Sequence, residues 1–310
     1  MKWTGARALK ISISVTSAHQ VDDVRVGARH MVERAAAARV AGLDALYVGD
    51  HHTTPAPYYQ NTAILGRMLA EWGDRPAGAL YLLPLWHPVL AAEQIATLAC
   101  ICEGPFIMQC GIGRGARDFA RMGVDIRQRP SRFEQALDVM RRLWAGEHVD
   151  LDGRWKLQDA YISPLPPEPI EVHIGAAADA AIERAARLGD GWLGDPGMTY
   201  DQAEVRLAKY REACSRYGVK PKAIPIRRDV FVGADMAEAE RVMAPYIEGG
   251  YRGFDADALV WGDVDHVTRR FDALGAMGFT EVVIRNISAN QAECLATIER
   301  LGEVREKLER

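Results

Sequence analysis

The chain has 310 residues, a net charge of −4 at pH 7, 48% hydrophobic residues and 26% charged ones. The acidic balance excludes a global basic field for nucleic acid, no apolar run reaches the roughly 18 residues of a membrane span, and the opening "MKWTGARALKISISV" has no apolar core with a small-residue cleavage site, so no leader is expected. The five cysteines, with Cys100 and Cys102 as C-x-C lacking partners at zinc spacing, read as reduced thiols of a cytoplasmic protein with no metal site.

Strand-like and helix-like runs alternate along the chain. "ALKISISV" (8–15) is β-branched, and "ARHMVERAAAARVAG" (28–42) is a helix stopped by Gly42. "DALYVGD" (44–50) is a short strand, "QNTAILGRMLAEWG" (60–73) a helix, "AGALYLLP" (77–84) a strand, and "PVLAAEQIATLACI" (88–101) a helix with proline in its first turn. "FIMQCGI" (106–112) is the fourth strand, and the helix over 131–146 opens on Ser131 and Glu134 at capping-box spacing. Residues 147–169 break the rhythm with a hairpin around Asp152-Gly153 and a proline cluster. Strands at 170–175, 189–195, 223–233 and 280–288 then alternate with helices at 179–188, 200–217, 235–249, 263–277 and 289–308, and 250–262 reads as loop. Alternating β and α runs imply a parallel sheet covered by helices. About eight strand–helix pairs predict an α/β fold, a closed (β/α)8 TIM barrel with insertions after strands 4 and 7, in a single domain over 1–310.

The fourth strand runs into "GIGRGARDF", where Gly111, Gly113 and Ala116 fit the G-x-G-x-x-A of a dinucleotide loop. The continuation "ARDFARMGVDIRQRP" reads as an irregular arginine-heavy loop, with neither the helix nor the acid-terminated second strand that motif needs. In a barrel the same glycines sit at a strand's C-terminal end, where active sites are built.

Candidates at such ends are Asp50, His51 and His52 after the second strand, Trp86 and His87 after the third, and Arg114 after the fourth. Trp192 and Asp195 follow the sixth, and Arg285 and Asn286 end the last. Adjacent His51 and His52 point to opposite sides of an extended chain, which disfavours a shared metal. A neutral imidazole oriented by Asp50 could instead move protons. The small residues of "GAAADA" (175–180) would let a helix start approach an anion, with Arg114 as a cationic partner and Asp179 as an objection unless it points away.

Five segments in order resemble the bacterial luciferase-like superfamily, whose members are barrels using reduced flavin or the deazaflavin coenzyme F420. They are "AGLDALYVGDHH", "LLPLWHPVLAAEQIATL", "GIGRGARDFARMGVD", "EVHIGAAADAAIERAARLGDGW" and "EVVIRNIS". The resemblance implies that His51, with Asp50, is catalytic and that Arg114 binds a cofactor phosphate beside Gly113. It also implies that the backbone of Ala176, Ala177, Ala178 and Asp179 contacts that phosphate, and that a non-prolyl cis peptide at Ala79–Leu80 supports the ring. Tyr58, Tyr59, Trp86, His87 and Trp192 are assigned to substrate-pocket walls. Gly113 stands where luciferase has a reactive cysteine, which favours an ordinary oxidoreductase over light emission.

The implied activity is a monooxygenase using reduced FMN and O2 on a small organic substrate, supplied by a separate flavin reductase and working as a homodimer. The alternatives are an F420-dependent hydride-transfer enzyme, whose cofactor's polyglutamate tail the arginines over 117–132 could accept, and a non-catalytic partner subunit, which an intact Asp50–His51 pair disfavours. No nucleic-acid or membrane partner is expected.

Overall fold

A computed structural model describes residues 9–309. Residues 1–8 of the opening segment read for a leader, with Ala8 at the head of the first expected strand, lie outside them. The barrel strands are β1 (Lys10–Val15), β2 (Leu46–Val48), β3 (Ala77–Leu82) and β4 (Phe106–Gly111), then β7 (Glu171–Ala176), β8 (Gly191–Gly194), β9 (Pro225–Val232) and β11 (Glu281–Asn286). Between β4 and β7 lies an antiparallel hairpin, β5 (Val149–Leu151) and β6 (Leu157–Ala160). The main sheet runs β10-β9-β11-β1-β2-β3-β4-β7-β8 with a further β8–β9 pairing, so eight strands close into a parallel barrel and β10 (Val260–Gly262) adds to β9 outside the ring. This is the predicted (β/α)8 fold, with its insertions after strands 4 and 7. No helix among the described residues is long and apolar enough to cross a membrane.

The described residues form two units: 17–29 with 47–172, and 9–16 with 30–46 and 173–309. In the first, β3 and β4 pair in unbroken register from Ala77↔Phe106 to Leu82↔Gly111. A Cβ at Gly78 would stand 1.9 Å from the Ile107 carbonyl oxygen, so only glycine permits this approach. Helices α2 (Asn61–Trp72), α3 (Pro88–Ile101) and α5 (Arg129–Trp144) belong to this unit. α2 buries Ile64, Leu65, Met68, Leu69 and Trp72, and α5 buries Phe133, Ala136, Leu137, Met140 and Leu143, each on one apolar stripe. Each large apolar side chain so buried stabilises by about 1.5–3 kcal/mol.

Two local expectations are corrected here. The helix expected from Ser131 starts at Arg129, with Gln128 as a cap that makes no side-chain bond. Pro130 starts it early, because a first-turn proline loses no helical hydrogen bond, and Ser131 Oγ donates instead to the Gln128 carbonyl (3.0 Å). The stretch after Gly115 is not irregular throughout: it forms α4 (Ala116–Arg121), whose Phe119 is buried.

In the second unit β11 pairs with β1 (Ile13↔Ile284) and with β9 (Val282↔Ile226). Ile11, Ile13, Val282, Val283 and Ile284 are all fully buried, the continuous apolar pattern of parallel strands covered on both faces. The helices are α1 (Val24–Val40), whose residues from His30 onward belong here, α6 (Asp179–Leu188), α7 (Tyr200–Tyr217), α8 (Met236–Glu248), α9 (Val264–Met277) and α10 (Gln291–Leu308). The loop expected over 250–262 holds two short 3-10 turns and β10.

Candidate functional site

In the first unit, the chain leaves β2 and delivers a buried carboxylate. Asp50 is 1% exposed. Its Oδ2 accepts from the Leu82 backbone N–H and from the Trp86 indole Nε1–H, each at 2.8 Å. A buried indole N–H needs an acceptor, so the exits of β2 and β3 are tied together by one side chain. The other oxygen, Oδ1, lies 3.2 Å from His52 Nε2, close enough for a charge contact, though neither atom has a hydrogen-bond partner. The His52 ring stands edge-on to Trp86, with centroids 5.5 Å apart, and Tyr81 does the same from 5.3 Å.

Asp50 therefore faces His52, not the His51 expected to be its partner. Residues i and i+2 share a side of an extended chain whereas i and i+1 do not. The Asp50 carboxylate raises the His52 imidazole above its ordinary value, against the opposing effect of burial. A raised folded-state value stabilises fully below the unfolded value, about 6.5, and is lost as pH rises through the folded one. Urea midpoints followed upward from about pH 6 should show this decline in the native chain and not in His52→Gln; parallel profiles would remove the ion pair from the account.

His51 is exposed, its ring 5.7 Å from that of Tyr58 at 88°, and its carbonyl accepts from Gln60 Nε2 (3.1 Å). Tyr59, also assigned to the pocket, instead donates its hydroxyl to the Val24 carbonyl and sets its ring edge-on to His19. After the histidines Thr53 adopts a φ of 52°, rare for a β-branched residue. Such strain costs on the order of 1–3 kcal/mol and gathers at functional sites. Arg121 Nη1 donates to the Thr53 carbonyl (2.8 Å) and holds the loop. Nothing in the sequence singled out that arginine among its neighbours.

At the end of β4, Gly113 has a φ of 71°, and a Cβ there would stand 2.9 Å from the Phe119 ring. The glycine keeps the turn open in front of α4, and Arg114 follows it on the surface. His87 caps the start of α3; burial first, then the Arg132 charge, lowers its imidazole. Ala79–Leu80 is not the expected cis peptide. It lies mid-strand, paired with Met108 and Gln109, and the cis bond among the described residues is Ser163–Pro164.

In the second unit β7 leads through Ala177 and Ala178 into α6. Ala178 caps that helix and offers no side-chain acceptor. The Asp179 carboxylate points instead at Lys209 Nζ (2.9 and 2.8 Å), which lowers it below the ordinary range. Trp192 is not a pocket wall: it is fully buried, donates Nε1–H to the Ala176 carbonyl (2.9 Å) and packs on Tyr210 and Phe279.

Asp229, near the end of β9, was not among the expected candidates. It is fully buried, and its Oδ2 accepts from the Tyr251 hydroxyl (3.0 Å) and Arg252 Nη1 (2.5 Å), with Arg285 Nη1 at 3.8 Å. Burial, then the Asp229 charge, pushes the Tyr251 phenol up to about 12. A charged residue near the C-terminal end of an apolar strand was the available signal.

The family model described as "Luciferase-like monooxygenase" matches residues 9–309. An F420-dependent glucose-6-phosphate dehydrogenase from Beutenbergia cavernae is 31% identical over 308 residues, covering 86% of this chain and 89% of that protein. For several other relatives of that name the match spans 52% to 65% of their length. Among solved structures, the FMN complex of the oxygenating constituent of 3,6-diketocamphane monooxygenase from Pseudomonas putida superposes with a TM-score of 0.79 at 18% identity, over 97% of this chain and 98% of that one. An F420-dependent secondary alcohol dehydrogenase bound to an F420–acetone adduct gives 0.78 at 18% identity, over 96% and 98%. With the family model spanning nearly every residue of the barrel, the chain belongs to the luciferase-like monooxygenase family.

Proposed function

We propose that this chain is an F420-dependent oxidoreductase that transfers hydride between the deazaflavin and a small organic substrate. The observation that carries the choice of cofactor is the 31% identity to an F420-dependent dehydrogenase along 86% of the chain. Family membership supports an oxidoreductase with a flavin or F420 cofactor.

The residues fit such a group. The turn at Gly113 is kept clear of a Cβ that would meet Phe119, and the start of α6 is free of a side-chain cap. Bound F420 supplies a two-electron hydride acceptor or donor. Arg114 would hold an anionic group of the cofactor through its guanidinium fork. The backbone N–H groups of Ala176, Ala177, Ala178 and Asp179 would suit a phosphate, as helix starts do. An imidazole nitrogen of His51 would take or return the proton that accompanies the hydride. Asp50, His52 and Trp86 would hold the His51 loop in place, and Tyr58 would limit the reach of its ring. A single barrel domain over 1–310, a homodimer and a cytoplasmic location belong to the same proposal.

The second reading, oxygenation by reduced FMN and O2 with a separate reductase, is favoured by the likeness of "GIGRGARDFARMGVD" to luciferase. Equilibrium titration of the cofactor-free chain with F420 and with FMN separates the two. F420 should bind more tightly, and Arg114→Ala should weaken it about tenfold. Binding of FMN without F420 would replace hydride transfer by oxygenation, and undiminished affinity in the variant would remove Arg114 from the site.

A further inference from the structure

The turn of the β5–β6 hairpin folds against the first turn of α5 and brings two arginines onto one tryptophan. The Arg132 guanidinium lies 5.3 Å from the Trp155 ring centroid and that of Arg154 lies 5.6 Å from it. Arg132 gives Nε–H to the Pro84 carbonyl (2.7 Å). Arg154 reaches neutral oxygens at long range, Gln135 Oε1 at 3.4 Å from Nη1 and Ser131 Oγ at 3.2 Å from Nη2. Among the described residues no ion pair joins either guanidinium to a carboxylate. The first turn of α5 carries no acid, so its positive end adds to the same field. We propose that Arg132, Arg154 and Trp155 form a binding site for a doubly charged anion, either a phosphoryl group or two neighbouring carboxylates.

Each guanidinium stacked on the indole gains about 0.5–2 kcal/mol. One such contact would already pin the hairpin, and the second adds like-charge repulsion. Burial, then Arg154, lowers the Arg132 guanidinium, and Arg132 in turn lowers His87, so the positive field extends beyond the pair. An anion across both forks removes that repulsion, and guanidinium forks match carboxylate and phosphate oxygens two at a time. Lys156, next in the turn with a φ of 47°, brings a further positive charge. The site does not depend on which cofactor the barrel holds.

The test uses the full cofactor-free chain and tryptophan fluorescence at low ionic strength, with inorganic phosphate and glutarate as separate probes and sodium chloride as the ionic-strength control. A saturable change with either probe, absent in Trp155→Phe, weakened about tenfold in Arg132→Gln/Arg154→Gln and kept in Arg114→Ala, supports the site. The stronger probe then identifies the source as phosphoryl or carboxylate. Should the double variant unfold, Arg154→Gln alone, at the hairpin turn, must show the same weakening. A response that sodium chloride reproduces, or one that either arginine variant retains in full, overturns the proposal.

Discussion

Asp50→Ala should lose both stability and turnover. The carboxylate accepts two buried donors, the Leu82 N–H and the Trp86 indole N–H. Truncation leaves both unpartnered, at about 1–3 kcal/mol each, so the folded state should lose about 2–6 kcal/mol. It also frees the loop that carries His51, and turnover should fall about a hundredfold. Asp50→Asn separates the two effects. Its amide oxygen can still accept both donors, which share Oδ2, and the charge facing His52 is gone, so it should lose less stability while abolishing the pH dependence assigned to the pair. Urea unfolding and steady-state rates measure both. A truncated variant as stable as the native chain would mean that Asp50 does not tie the two strand exits together.

His51→Ala should behave in the opposite way. The side chain is exposed, so the unfolding free energy from urea should stay within about 0.5 kcal/mol of the native value. Turnover should fall at least tenfold, and up to about ten-thousandfold, with cofactor affinity nearly unchanged, as expected for a group acting on a proton in the reaction and not on binding. Full activity in this variant, alongside a loss in His52→Ala, would transfer the proton role to the buried histidine.

The sequence revealed the barrel because its information is periodic. β1, β3, β4 and β11 are apolar runs bounded by turns, and the eightfold alternation with helices left few other architectures. β10 was hidden because Val260–Gly262 is three residues long and gains its identity only by pairing with β9. The capping box at Ser131 failed on a neighbour: Pro130 fixes the helix start by its own ring geometry.

The strand-end rule named Asp50, both histidines, Trp86 and Arg114 as candidates, and the structure brings Asp50, His52 and Trp86 together. What the rule could not supply was pairing. Asp50 meets Leu82 and Trp86 across 32 and 36 residues, a separation that no local pattern encodes. The side-to-side alternation noted for His51 and His52 already implied that Asp50 and His52 share a face, and the structure agrees. Trp192 was misassigned because a strand-end aromatic resembles a pocket wall. The Ala176 carbonyl that satisfies its indole explains why it belongs to the core. Asp229 went unnoticed because it is embedded in "AIPIRRDVFVG", where adjacent arginines made its charge look solvated.

The proposed hydride transfer would take place beside His51, whose loop is held where Asp50, His52 and Trp86 meet. Its most direct test is anaerobic mixing of the purified chain with oxidised F420 and a panel of alcohols and sugar phosphates, following the deazaflavin absorbance. Bleaching with at least one substrate, slowed in His51→Ala, is the expected result. An unchanged F420 spectrum across the panel, together with an oxygenated product when reduced FMN and O2 are supplied, would contradict it.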